Sequence, residues 1–282
     1  MMIGADTLPV LPTDPGDRNR TSPFAFTGNR FEFRAPGSMQ TVNGPMVTIN
    51  TIMAEALDYM ATELESAVAD GADFDTAVQN LLTEIITNHG AVVFNGDGYS
   101  ENWQIEAESR GLPNLRTTLD ALPELITEPS MELFEKYKVF NHREMHSRYE
   151  IGLEQYALSI GVEARLAAEI GTTLILPAAV RHQTEVAQNF VALKSAGLEP
   201  DSAPLEEVSA PIAALRTALA TLRAAIDADA DAGESPFDQA KHAQDALLPA
   251  MAEVRAAADF LETIVADDHW PLPTYQEMLF IL

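Results

Sequence analysis

The chain has no cysteine, few lysines and no long apolar run, and each absence excludes a class of protein. Without cysteine it forms no disulfides and uses no thiolate as a nucleophile or metal ligand. No stretch approaches the roughly 18 consecutive apolar residues of a transmembrane helix. The first residues also lack the basic segment and apolar core of a secretory signal peptide. These absences predict a cytoplasmic protein with no membrane partner.

Positive charge is scarce as well. The chain has 43 acidic and 17 basic residues and a formal net charge of -26, and only four of the basic residues are lysines. A surface this acidic repels nucleic acid and anionic lipid, so we expect no nucleic-acid partner. Two interpretations remain: a solvated acidic surface, such as one suited to a salty environment, or a surface that binds a cationic partner.

The order of residue types along the chain predicts a mainly α fold with a small β component. Residues 1–45 are rich in proline, glycine, asparagine and threonine, and they indicate loops with one strand near Arg30–Ala35. From Met46 almost to the end, apolar residues recur at helical spacing. A total of 282 residues with 46% hydrophobic residues is enough for one large domain or two ordinary ones.

Several helices can be placed from their end signals and apolar spacing. Asp73 is positioned to cap a helix that ends near His89, and a long helix begins at His142. Two alanine-rich segments, Ala203–Asp229 and Pro236–Ala266, predict an antiparallel hairpin whose apolar stripes either close its own core or contact another subunit. The apolar tail from Trp270 onward is expected to pack against the rest of the chain.

The predicted strand carries a charged face. Four of the thirteen arginines lie within residues 18–34. Side chains two apart on a strand share a face at about 7 Å spacing, so Arg30, Glu32 and Arg34 are expected to lie together. Arginine donates paired hydrogen bonds to phosphate and carboxylate, and a glutamate between two arginines suits a metal ion that itself holds phosphate oxygens. The alternative is a surface strand whose charges neutralise one another.

Two histidines one helical turn apart form a second candidate site. His142 and His146 have the i, i+4 spacing of a zinc pair, but no glutamate directly follows the first histidine and no third ligand is evident. The interpretations are a polar helix start or a metal site.

The charged segment belongs to a longer pattern. Residues 17–26 read DRNRTSPFAF and residues 28–35 read GNRFEFRA. Together they resemble the glutamine synthetase family and specifically its large type III branch, with an N-R-[ST] element followed by R-[IFL]-E-[FV]-R. Further stretches similar to that branch are 93–100 (VFNGDGYS), 147–156 (SRYEIGLEQY), 176–179 (LPAA) and 270–280. Many members carry another arginine where this chain has Ala25.

The resemblance implies a role for each matched residue. Glu32 corresponds to a carboxylate that holds the Mg²⁺ or Mn²⁺ ion bridging the nucleotide phosphates. Arg34 corresponds to an arginine that binds glutamate, and Arg20 to one shared between ATP phosphate and the acyl phosphate. Arg30 corresponds to a further arginine near the phosphates. The implied reaction is the ATP-dependent ligation of ammonia to glutamate through a γ-glutamyl phosphate, in a homo-oligomer.

The family pattern also needs an N-terminal domain, further metal-binding glutamates, a histidine and a substrate loop, all expected upstream of Met1. The resemblance therefore implies the remnant of an α/β catalytic domain, followed by a helical C-terminal region. We assign the first to residues 1–165 and the second to residues 166–282. The isolated chain is predicted to be inactive, with the N-terminal half of the synthetase as its partner. The alternative is a non-catalytic helical interaction protein or subunit derived from the synthetase.

Overall fold

A computed structural model describes residues 41–94, 98, 100–228, 233, 235–273 and 275–279, with the backbone of two strands. Strands β1 (Phe24–Phe26) and β2 (Phe31–Phe33) form a two-stranded antiparallel sheet in which Ala25 pairs with Glu32. The rest of the described chain is almost entirely helical, which confirms the mainly α prediction. Within this part of the chain, no helix has both the length and the apolar character required to cross a bilayer.

Residue contacts divide the chain into two compact units. The first includes residues 41–116 and 128–141, and the second includes residues 117–127 and 142–279. The predicted boundary between residues 165 and 166 lies inside the long helix that starts at His142. That boundary stays a prediction, because the two units are defined by contacts and not by family membership.

The first unit contains four helices among its described residues: α1 (Asn43–Ala69), α2 (Phe74–His89), α3 (Glu101–Ser109) and, separated from these in sequence, a helix at Glu128–Lys136. Gly71 has φ 93°, a conformation that favours glycine, and it closes the turn after α1. The Asp73 carboxylate then accepts a hydrogen bond from the Thr76 amide at 3.1 Å, as predicted from its capping position.

The second unit starts with the short helix α4 (Thr118–Ala121), so the helix at Glu128–Lys136 is α5 in chain order. Its longer helices are α6 (His142–Ile170), α7 (Leu176–Ser195), α8 (Ala203–Ala228) and α10 (Leu248–Glu262); the shorter helices are α9 (Pro236–His242) and α11 (Tyr275–Leu279). Helix α8 contacts both α7 and α10.

Two π-helical turns join successive helices of this unit. Residues Gly171–Ile175 connect α6 to α7, and Ala243–Leu247 connect α9 to α10. Each turn is followed by a Leu-Pro pair, Leu176-Pro177 and Leu248-Pro249. Proline has no amide hydrogen and its ring clashes with the carbonyl four residues earlier. The wider turn therefore accommodates the proline without ending the helical path.

The core of the second unit is built from α6, α7, α8 and α10. Its fully buried side chains include Leu215, Leu222, Leu247 and Leu261. Gly171 permits a close approach between helices, because a Cβ there would lie 2.8 Å from Leu219 Cδ2. The apolar stripes of the alanine-rich hairpin thus pack into the chain's own core.

The apolar tail is only partly packed. Trp270 and Leu272 pack against the core of the second unit. Met278 and Leu279 on α11 are exposed, so the expectation that the whole tail docks was wrong for these two residues.

Candidate functional site

The structure places one of the four predicted site residues in a regular element. Glu32 is the central residue of strand β2, within the stretch where the sequence predicted a strand. The side chain of Glu32 and the whole of Arg20, Arg30 and Arg34 lie outside the described residues. Their expected convergence on one face stays a prediction based on strand alternation.

A second structured feature flanks the stretch at 93–100 that carries part of the family resemblance. Phe94 and Trp103 stack with ring centroids 4.0 Å apart. The Arg110 guanidinium lies 5.3 Å from the Trp103 ring centroid and donates hydrogen bonds to the Ala91 carbonyl at 3.1 Å and the Val93 carbonyl at 2.8 Å. Arg110 thereby ties the end of α3 to the segment that follows α2.

An apolar hollow of about 410 Å³ lies between α1, α2 and α5 of the first unit. Its lining includes Ile52, Tyr59, Ile85 and Leu133, with Glu55 and His89 as the groups that can carry charge. The volume is within the range of small-molecule sites. The lining offers no nucleophile paired with a base, so the hollow has the composition of a packing surface and not of a catalytic centre.

An ionic cluster connects α1 to the end of α5 in the first unit. Lys136 Nζ lies 2.6 Å from Glu55 Oε2 and 3.0 Å from Asp58 Oδ2. The Tyr137 hydroxyl lies within hydrogen-bonding distance of the same two carboxylates, 2.7 Å from Glu55 Oε2 and 3.1 Å from Asp58 Oδ2, and shares its one hydrogen between them. Sequence inspection missed this cluster, because its members lie about 80 residues apart on α1 and at the end of α5 and no local motif marks them.

These contacts shift the titration of all three charged groups. The hydrogen bond from the Lys136 ammonium, followed by that from Tyr137, lowers the pKa of the Glu55 and Asp58 carboxyls below their usual 4.5 and 3.8. The same hydrogen bonds raise the pKa of Lys136. A carboxyl group whose pKa is lowered by folding stabilises the folded state at pH values above the ordinary pKa of that group. This contribution is lost as the pH falls through the folded-state pKa.

We therefore expect Lys136→Met to loosen the contact between α1 and α5. At pH 7, amide hydrogen exchange in these two helices should become up to about five-fold faster, the scale of an exposed ion pair. The difference between the variant and the original chain should shrink once both carboxyls are protonated, well below pH 4. Lys138→Met removes the same charge two residues away and is the control. Equal exchange in both variants would show that the cluster does not hold the helices together.

The histidine pair is not part of a three-residue metal-binding group among the described side chains. His142 and His146 lie in the first turns of α6. Nowhere in the described parts of the chain do three or more histidine, aspartate or glutamate side chains form a group that could hold a metal ion.

Comparisons with known proteins agree with the sequence resemblance. The family model "Glutamine synthetase C-terminal domain" matches residues 77–194. A "Type-3 glutamine synthetase" from Dictyostelium discoideum is 38% identical over 288 residues, covering 100% of this chain and 39% of the relative. A "Glutamine synthetase" from Bacteroides fragilis (strain YCH46) is 33% identical, and one from Butyrivibrio fibrisolvens is 32% identical.

These two bacterial proteins match 99% and 95% of this chain, which in turn covers 39% and 38% of their lengths. The chain therefore spans about two fifths of the length of the curated relatives it matches. The match to the Dictyostelium protein lies in the C-terminal portion of that relative.

Proposed function

This chain corresponds to the C-terminal portion of type III glutamine synthetases, and we propose that it contributes phosphate-, metal- and glutamate-binding groups to the ATP-dependent ligation of ammonia to glutamate. The reaction passes through γ-glutamyl phosphate, which ammonia attacks to give glutamine. Further parts of this proposal are a cytoplasmic location and a homo-oligomeric assembly.

The observation that carries the proposal is the extent of the similarity. The match to the Dictyostelium enzyme covers the entire chain, so it includes the charged segment at residues 20–34 as well as the helical region. A helical module that had kept only a scaffolding role would need neither the arginines nor the glutamate of that segment.

Arg20, Arg30 and Arg34 supply fixed positive charge in this proposal. Arg34 binds the glutamate substrate, while Arg20 neutralises charge that moves from the ATP phosphate to the acyl phosphate. Phosphoryl transfer depends mainly on positioning and charge stabilisation, and guanidinium groups suit both tasks. Arg30 adds charge near the phosphates.

Glu32 is the metal ligand that this chain contributes. Mg²⁺ or Mn²⁺ is often held by one or two carboxylates together with substrate phosphates and water. A single glutamate on a strand can therefore supply one ligand of such a site. In this proposal the remaining metal ligands belong to the N-terminal portion of the synthetase. When bound, the metal neutralises charge on the nucleotide phosphates.

The surface of the first unit supports the need for a larger assembly. Helix α2 exposes Phe74, Leu82 and Ile86, and α1 exposes Met53 and Leu57. In this proposal these exposed apolar side chains contribute to a contact with another part of the synthetase. We propose that the N-terminal portion of the synthetase is the partner and that the isolated chain is inactive.

A chimeric enzyme tests this function directly. In it, the matched C-terminal portion of the Dictyostelium enzyme is replaced by this chain. We expect the chimeric enzyme to form glutamine from glutamate, ammonia and ATP. This chain alone and the truncated Dictyostelium portion alone should show no turnover, because each lacks part of the ligand set.

Two results would contradict the proposal: turnover by this chain alone, or a folded chimeric enzyme without activity. If the inactive chimera were accompanied by binding of this chain to the intact Dictyostelium enzyme, the non-catalytic interaction protein would be the better assignment. The exposed apolar side chains of α1 and α2 are compatible with that second function.

A further inference from the structure

Helix α6 carries two apolar stripes on opposite sides. The inner stripe consists of Leu153, Ile160, Ala164 and Ala168, all buried in the second unit. The outer stripe consists of Ile151, Leu158, Val162 and Leu166, which repeats the same spacing two residues earlier. Because two residues correspond to about 200° of rotation, the outer stripe points away from the core.

The outer stripe is exposed along its whole length. Ile151 is 49% exposed, Leu158 65%, Val162 51% and Leu166 52%. The core on the other side of α6 is well packed, with Leu153 only 1% exposed. The exposure of the outer stripe therefore does not result from poor packing in the core of this unit. A helix that is apolar on both sides is normally covered on both sides.

We propose that the outer stripe of α6 pairs with the same stripe of a second copy of this chain, with the two helices antiparallel. A two-fold axis near Leu158 places the two Leu158 side chains together at the centre. It also places Ile151 of one copy beside Leu166 of the other, on both sides of the axis. The stripe is self-complementary in this register, as an isologous contact requires.

Charge complementarity favours a second copy over other occupants. Glu154 and Arg165 are exposed on the same edge of the outer stripe. In the antiparallel register, each lies beside the opposite charge of the partner subunit. The Arg165 guanidinium already extends back over Gly161, where an added Cβ would lie 3.5 Å from its Nη1, and this direction brings it towards Glu154 of the partner subunit.

This local balance matters because each chain carries a net charge of -26. Two such chains repel one another, so a contact between them requires a face where charges of both signs are matched. A strongly basic partner helix would gain from most of this acidic surface, but at the outer stripe it would meet Arg165. At the outer stripe, the opposite charges of Glu154 and Arg165 therefore suit a second copy of this chain better than a uniformly basic helix.

The size of the contact predicts its strength. From Ile151 to Leu166 the helix rises about 23 Å, so the stripe alone is smaller than the roughly 800 Å² per partner of a standard interface. We expect a weak dimer whose population increases with protein concentration. Raising the salt concentration should strengthen it, because the repulsion between the net charges is screened more than the short contacts.

Sedimentation velocity over a concentration series tests the pairing in the full chain. We expect the original chain to shift from one to two chain masses as its concentration rises. Leu158→Glu should abolish the dimer, since it places two carboxylates at the apolar centre. The control is Phe260→Glu, which adds the same charge at a 50% exposed side chain on α10. Circular dichroism verifies that both variants fold.

A charge exchange tests the antiparallel register. Glu154→Arg and Arg165→Glu should each weaken the dimer about ten-fold, because each creates two like-charge contacts across the axis. The double variant should restore dimerisation, since both pairs form again with reversed sign. If Glu154 or Arg165 acted only within its own chain, combining the two substitutions would not restore the dimer.

Three results would overturn the inference. The first is an original chain that stays monomeric at all concentrations and salt levels, and the second is a dimer that persists in Leu158→Glu. The third is loss of activity by the chimeric enzyme in Leu158→Glu without any change in its oligomeric state, which would show that another part of the synthetase covers the stripe. Activity of the chimera is independent of the first two results, so the proposed function can succeed where this inference fails.

Discussion

Replacing Glu32 by glutamine should reduce glutamine formation by the chimeric enzyme at least about 100-fold. The amide keeps the size and hydrogen-bonding reach of the carboxylate but removes the negative charge that binds a divalent cation. Loss of groups that stabilise charge in the transition state typically costs a factor of 10² to 10³, and this ligand is proposed to act on the metal that bridges the phosphates. Initial rates at saturating ATP and glutamate measure the effect.

The matched control is Glu65→Gln on α1, which removes the same charge from an exposed position with no proposed role. It should leave the rate within about two-fold of the original chimera. A Glu32→Gln chimera with nearly full activity would show that this strand contributes no metal ligand. If extra Mn²⁺ recovers part of the lost rate, the defect lies in metal binding, which is the proposed role of Glu32.

The second large effect concerns stability. Leu215→Ala should lower the free energy of unfolding of this chain by about 2–5 kcal/mol, the range for leucine truncation in a packed core. Leu215 on α8 is 0% exposed and belongs to the core formed with α6, α7 and α10. The cavity would lie among several helices that cannot all move inward together.

Urea denaturation followed by circular dichroism measures this loss. Leu198→Ala is the control, because its side chain is 56% exposed in the connection after α7, and it should change the free energy of unfolding by less than about 1 kcal/mol. Equal effects of the two substitutions would mean that α8 is not the centre of the core.

Local signals in the sequence were sufficient for most helices. The Asp73 cap was confirmed, and α6 begins at the predicted His142. The first arm of the alanine-rich hairpin was predicted as residues 203–229, and α8 spans Ala203–Ala228, because its apolar residues recur on one side only. The second arm was predicted as residues 236–266, but its helices end at Glu262. Such signals depend on neighbours within one or two helical turns.

Features that depend on distant contacts were not predictable. The ion pair between Lys136 and Glu55 joins residues that are 81 apart in sequence. The π-helical turn at Gly171–Ile175 was not predicted either. The outer stripe of α6 was also missed, because apolar residues on both sides of a helix do not reveal which side the core covers.

The candidate site was identified from the motif and not from any three-dimensional feature. Strand alternation predicts that Arg30, Glu32 and Arg34 share a face. The structure adds the position of Glu32 within β2 and its pairing with Ala25. Which ligand each arginine binds depends on the geometry of a complete synthetase, so the roles rest on the resemblance and require kinetic tests.

Steady-state kinetics of Arg34→Ala in the chimeric enzyme test the central assignment most directly. Arg34 is proposed to bind glutamate and not ATP, so the KM for glutamate should rise about ten-fold or more, the scale of a lost charged hydrogen bond. The KM for ATP should stay within about two-fold. An unchanged KM for glutamate, or an equal rise in both constants, would contradict the role of Arg34 in binding the amino acid.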